Sequence, residues 1–331
     1  MSVIAGLDLD AYVPHFLHGE ASVWPQTNCY ADLWIGVLNA LGLDPVPLLS
    51  FGLEADFEGD QWTFVKPSLD DLWTLYGIEV QELNLWNGFA CHLEQQIGRG
   101  HLPLIEVDSF YLPDSVGTAY QTEHTKTTIG VNALDLAAGH MAYFHNASYY
   151  ALSGDDLRAV LRLGETPGSP HLLPYAEFAK LSRVRRLPPD CLRREARVVM
   201  RRHFERRPTQ NPLPAFRAYL AAEPPVPPAD PVARYHKEAF ATVRQLGAAF
   251  QMAAANIRWL DADGTLADTV TAFDGISAAA KALLFKMARA ANSGKPLQFA
   301  ASLDTMESGW QAGFDTLAAR LQDPFRSFLA P

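Results

Sequence analysis

Along the first third of the chain, Tyr30, Leu33, Trp34, Val37, Leu38 and Leu41 recur at spacings of three and four. That pattern predicts a helix with one buried face. Asn28 is suited to cap it, because its side-chain oxygen can accept a free N–H of the first turn. Gly42 is placed to end it, with Pro45 and Pro47 beyond. Further on, Trp62–Val65 reads as a short strand. Ser68-Leu69-Asp70-Asp71 opens a short helix that stops at Gly77, and Ile78–Leu83 alternates as a half-exposed strand does. A helix is expected from Phe89 to Ile97 and a strand from Leu102 to Asp108. The long polar-aromatic stretch from Ser109 to Glu123 suits an ordered loop over a site. A hairpin follows, with strands over 127–134 and 141–146 and a turn at Ala137–His140.

After about residue 153 the alternation stops and the helical period takes over. Three long apolar stripes close the chain. They run through Val243, Leu246, Phe250, Ala253, Ile257 and Leu260; then Leu266, Val270, Phe273, Ala280, Leu283 and Met287; then Phe299, Leu303, Met306, Trp310, Phe314, Leu317 and Leu321. With tight turns at Asp261–Gly264 and Ser293–Pro296, they predict an antiparallel three-helix bundle over 229–325. Pro224–Pro228 reads as a rigid connector. The expected fold class is α+β, with a mixed domain over 1–152 and an all-helical domain over 153–331.

Composition narrows the function classes. The chain has 331 residues, 48% hydrophobic and 19% charged, with a net charge of −10. Such acidity argues against nucleic-acid binding. No apolar run approaches a membrane span, and no signal peptide is evident, so a cytoplasmic protein is expected. Cys29, Cys91 and Cys191 are too unevenly spaced for a disulfide framework or a zinc site. His15 and His18 read as loop histidines, and no metal site is expected. Cys91, inside an apolar helix, reads as core, and Cys191 opens an Arg-rich helix.

The chemistry centres on Cys29. At a helix start the dipole favours a thiolate, and the thiolate is the nucleophile. A thiol catalyst needs a base and a group to orient that base. His124 precedes one strand of the hairpin and Asn146 ends the other, so hairpin geometry can set them side by side as base and orienter. Asp135, at the far end of the hairpin, is the alternative orienter. His145 is the alternative base, although strand alternation would turn it to the opposite face. Oxyanion stabilisation would come from the Cys29 backbone N–H and a side-chain amide, Gln26 or Asn28.

The order Asn28-Cys29-Tyr30 with its helix, the strand Pro103–Asp108 leading into Ser109-Phe110-Tyr111-Leu112-Pro113, and then His124 with its hairpin resembles a papain-like fold. It is similar to bacteriocin-processing cysteine peptidases and to the N-terminal domain of butirosin biosynthesis protein H, a carrier-protein acyltransferase. The whole chain resembles an uncharacterised bacterial family of unknown function that shares these motifs, including Tyr150–Leu157. The resemblance implies a papain-like N-terminal half. It also implies an acyl or aminoacyl transferase that moves its group from a carrier-protein phosphopantetheine thioester, through a Cys29 thioester, to an amine. A peptidase or amidase using the same residues is one alternative, and a non-catalytic binding protein retaining the fold is the other. No bound cofactor is expected, since the phosphopantetheine would be presented by a small acidic carrier protein.

One segment stands against the overall charge. Between 182 and 207 lie ten arginines and three acids, so this stretch is +7 while the remainder is −17. Arg193, Arg197 and Arg201 repeat every four residues on one helical face. They would dock an acidic partner or a phosphate, or else form a solvated face paired internally.

Overall fold

The computed structural model describes residues 2–164, 173–222 and 230–322. Its contacts divide the chain into two units. One comprises 1–19, 29–45 and 72–186, the other 20–28, 46–71 and 187–331. The chain is mixed α+β, with an antiparallel sheet in its N-terminal half and helices in its C-terminal half.

The first unit starts with helix α1, Cys29–Ala40. Gly42 closes it with φ of +66°, and Leu43 N–H reaches back to Leu38 O at 2.9 Å. Such left-handed caps favour glycine because it lacks a Cβ. Then come α2 (Leu69–Tyr76), whose first three residues are counted in the second unit, β1 (Glu79–Glu82), α3 (Phe89–Gly98) and β2 (His101–Asp108). The sheet continues with β3 (Lys126–Asp135), β4 (His140–His145) and β5 (Ser148–Ser153); α4 (Gly154–Val160) and β6 (Ala176–Lys180) follow. The strand order is β1-β6-β2-β3-β4-β5, every pair antiparallel.

Strand alternation sends the two halves of each strand's side chains to different layers. Ile105, Val107, Ile129, Val131 and Tyr143 share a core with Phe89, Leu93 and Ile97 of α3. On the other face α1 comes so close that Cβ atoms built at Gly130 and Gly36 would touch Leu33 and Phe144 respectively. β6 lies between β1 and β2, so the first unit runs to 186, past the boundary expected at 152. The expected strand at Trp62–Val65 is only an isolated bridge, Phe57 to Trp62. β5 and β6 were not expected.

The second unit holds α5 (Pro189–Arg206), α6 (Leu213–Ala221), α7 (Pro231–Ala239), α8 (Gln245–Leu260), α9 (Ala267–Ser293) and α10 (Ala300–Gln322). The three expected apolar stripes meet through the rings of Phe250, Phe273 and Phe314, with centroids 5.1–6.4 Å apart. The segment before Cys29 belongs to this unit: Trp24 donates its indole N–H to Ser277 Oγ at 3.0 Å. The proline run 224–228 lies outside the described residues. No helix among the described residues is long and apolar enough to cross a membrane.

The 3-10 segment Val46–Glu54 packs on α8 so tightly that a Cβ on Gly52 would overlap the Ala249 carbonyl. That carbonyl belongs to a helix and cannot rotate away. Gly52→Ala should therefore cost about 2 kcal/mol. Urea denaturation followed by circular dichroism would register it as a lower midpoint at unchanged slope.

Candidate functional site

The expected constellation is not assembled as the hairpin argument required. α1 does place Cys29 in its first turn, half-buried, but the side chain facing its sulfur is Thr128 of β3, with Sγ 4.0 Å from Oγ1. A hydroxyl is a poor base for a thiol. His124 turns to the β2 side of β3, not the β4 side. Its Nδ1 lies 2.6 Å from Asp108 Oδ2, and its ring stacks on Phe110 with centroids 4.2 Å apart. The reason is register. Asp108 ends β2 directly opposite Lys126, and Ser109 N–H bonds Thr125 O at 2.9 Å, so the two residues before β3 fold back over the end of β2.

Asn146 does not orient His124. It occupies the tight β4–β5 turn with φ of +46°, and its side-chain nitrogen is 3.5 Å from His145 Nδ1. Asp135 spends Oδ1 on Ala138 N–H in the β3–β4 turn. His145 is buried in a different network. Its Nδ1 lies 2.5 Å from Asp114 Oδ2 and its Nε2 lies 2.8 Å from Thr127 Oγ1. Tyr143 OH donates to the other oxygen of Asp114. A carboxylate on Nδ1 assigns that proton, so Nε2 accepts from the threonine hydroxyl. Burial and the Asp114 charge push the Tyr143 hydroxyl well above its usual range, which keeps it a neutral donor. Thr127 and Thr128 are adjacent on β3 and point to opposite faces, so the sheet lies between His145 and Cys29.

The Asp114 network has a structural consequence. It pins the 109–125 loop to β3 and β4, helped by Ser115 OH on Ser109 O at 2.8 Å and Tyr120 OH on Asp156 at 2.9 Å. The loop that carries His124 is thus fixed at several points.

Of the expected oxyanion donors, the Asn28 amide is engaged elsewhere, its Nδ2 donating to Val65 O at 2.6 Å, and Gln26 is exposed, its backbone oxygen accepting from Arg244. Of the arginine stripe, Arg193 donates to Trp259 O at 3.1 Å with its guanidinium over the Trp259 ring, and Arg201 pairs with Glu205 at 2.9 Å. Asp263 contributes to the electrostatic surroundings of Arg197. The stripe is largely paired within its own unit. Cys91, read as core, is exposed.

Two features escaped the sequence reading. The first is Asp108, whose Oδ1 caps the turn at Phe110 N–H while Oδ2 holds His124. His124, Asp108, Glu106, Lys126, Arg158 and Arg162 line an open cleft of about 730 Å³, with Val107, Val160, Leu163 and Pro174 supplying apolar wall. The second is the environment of His18, read as a loop histidine but lying in a short 3-10 turn, Phe16–His18. His18 is buried, with Nε2 3.2 Å from Asp32 Oδ1, and its Nδ1 has no hydrogen-bond partner among the described residues. Asp32 lies three residues beyond Cys29, on the same side of α1. A search of sequence for a His two residues before a strand that pairs with an Asp-ending strand would have found the first feature. Nothing local marks the second.

Among the described residues no group of three or more His, Cys, Asp or Glu side chains is arranged to hold a metal ion. No curated protein matches the chain. Residues 13–181 match the DUF1839 N-terminal domain and residues 190–319 the DUF1839 C-terminal domain, so the chain belongs to the two-domain DUF1839 family.

Proposed function

We propose that this protein is an acyl or aminoacyl transferase in which His124, held by Asp108, is the acid–base group. The observation that carries the reading is the 2.6 Å Nδ1–Oδ2 contact on the wall of the cleft. A carboxylate on Nδ1 fixes the tautomer and leaves Nε2 as the nitrogen offered to substrate. In the reaction, Nε2 takes a proton from the acceptor amine as its nitrogen attacks the thioester carbonyl. The C–N bond forms, the C–S bond breaks, and His124 returns its proton to the departing thiol. The thioester would be presented on phosphopantetheine by an acidic carrier protein in the cytoplasm. The helix-first arrangement, with Cys29 at the start of α1 against an antiparallel sheet, supports a papain-like ancestry for the unit.

A second reading keeps Cys29 as the nucleophile, and His18 favours it. His18, paired with the Asp32 carboxylate one turn along α1 from the thiol and carrying a buried nitrogen without a partner among the described residues, is a candidate proton acceptor.

Turnover of an acyl-phosphopantetheine thioester with an amine acceptor, followed alongside intact mass, separates the two. We expect Cys29→Ala to retain wild-type turnover within about twofold, and the wild-type protein to carry no acyl adduct. An adduct that disappears in Cys29→Ala together with turnover would overturn the His124 reading in favour of the thiol.

A further inference from the structure

We propose that the cleft beside His124 is a binding site for a phosphate ester on an extended organic arm, with Arg158 holding the phosphate. The first unit carries sixteen Asp and Glu against eight Lys and Arg, yet three of those eight, Lys126, Arg158 and Arg162, line this one cleft. Two acids, Glu106 and Asp108, line it with them, and both are engaged. Glu106 binds Lys126 Nζ at 2.7 Å and Asp108 binds His124 at 2.6 Å. Lys126 is therefore neutralised locally, whereas the side chain of Arg158, exposed on the last turn of α4, has no ion-pair or hydrogen-bond partner among the described residues. An open guanidinium fork in an otherwise acidic unit selects an anion, and its planar geometry suits two phosphate oxygens at once.

The volume sets the rest of the ligand. At about 730 Å³ the cleft is in the range that encloses a drug-sized molecule, about 300–1,000 Å³, and far exceeds a lone phosphate. Val107, Val160 and Leu163 supply apolar wall for an arm, and His124 stands on the same rim for whatever group that arm delivers. The inference rests on the transferase reading only for its choice of probe.

The experiment is calorimetric titration of the full chain with phosphopantetheine, pantetheine and inorganic phosphate, without an acceptor, so that no chemistry is required. Phosphopantetheine should bind roughly tenfold or more tighter than pantetheine, and more weakly as salt rises. Arg158→Gln should remove that preference. Arg158→Lys should restore part of it, since the charge returns but the fork does not. His124→Gln should leave binding intact, which separates this proposal from the catalytic one. Equal affinity for the two pantetheines, an unchanged preference in Arg158→Gln, or no binding at all would overturn the phosphate site. Inorganic phosphate binding as tightly as phosphopantetheine would overturn the extended arm.

Discussion

His203→Ala should destabilise the helical unit by about 3–5 kcal/mol, the cost of breaking a buried charge network from its centre. His203 lies on the buried face of α5 with Val199, Met200 and Phe204. Its Nδ1 is 2.7 Å from Glu54 Oε1, and its Nε2 is 2.7 Å from Asp71 Oδ2. Arg202 reaches the other oxygen of Asp71 at 2.7 Å, and Arg206 approaches Glu54 at 3.5 Å. With His203 removed, the arginines still face the two carboxylates, but the imidazole between them is gone and Asp71 stays buried. Chemical denaturation should show the loss as a lower midpoint.

The same site gives a sign to the pH dependence. Burial alone would push the His203 imidazole down, but its hydrogen bonds to Asp71 and Glu54, and their charges, outweigh burial and raise it. A histidine whose folded pKa exceeds its unfolded value, about 6.5, contributes stability that is fully present below that value. The contribution is lost as pH climbs through the raised folded value. The difference in unfolding free energy between wild type and His203→Gln should therefore be largest near pH 6 and shrink toward alkaline pH. A difference that grows with pH would mean that His203 is neutral in the folded chain. Gln is the useful partner to Ala here, because it keeps volume and a donor while removing the titration.

The strongly periodic parts of the fold are legible from residues alone. α1, α8, α9 and α10 each bury one stripe, and the stripe is local information. Cys91 illustrates how far that logic reaches. α3 buries Phe89, Ala90, Leu93 and Ile97, and Cys91 falls off that arc, so a stricter use of the same period places it outside. β6 was out of reach for a different reason. Its five residues, Ala-Glu-Phe-Ala-Lys, form a strand because they slot between β1 and β2, with partners 71 to 101 residues away in sequence, and no local pattern announces such a pairing. The site shows the same division. The hairpin β3–β4 is local and was read correctly. What decides the partner of His124 is the non-local pairing of β2 with β3, which sets Asp108 opposite Lys126 and hands the imidazole to a carboxylate rather than to Asn146.

That non-local pair is also where the largest kinetic effect is expected. His124→Gln should lower kcat for acyl transfer by about 10²- to 10⁴-fold, the usual contribution of a positioned acid–base group. The side chain is exposed, stacked on Phe110 and edge-on to Tyr111, and its contact with Asp108 is at the surface, so the substitution should change thermal stability little. Asp108→Asn is the sharper test. It keeps the shape and can still accept from Phe110 N–H, but a neutral amide no longer stabilises the imidazolium that forms as the amine is deprotonated. It should lower kcat by a smaller factor than His124→Gln, and the double variant should be no slower than His124→Gln alone, because the carboxylate acts only through the ring. If the two losses instead multiply, Asp108 touches substrate on its own account. If neither substitution changes kcat while Cys29→Ala abolishes it, the chemistry belongs to the thiol at the start of α1, and the imidazole to test next is His18, which is paired with Asp32 of the same helix.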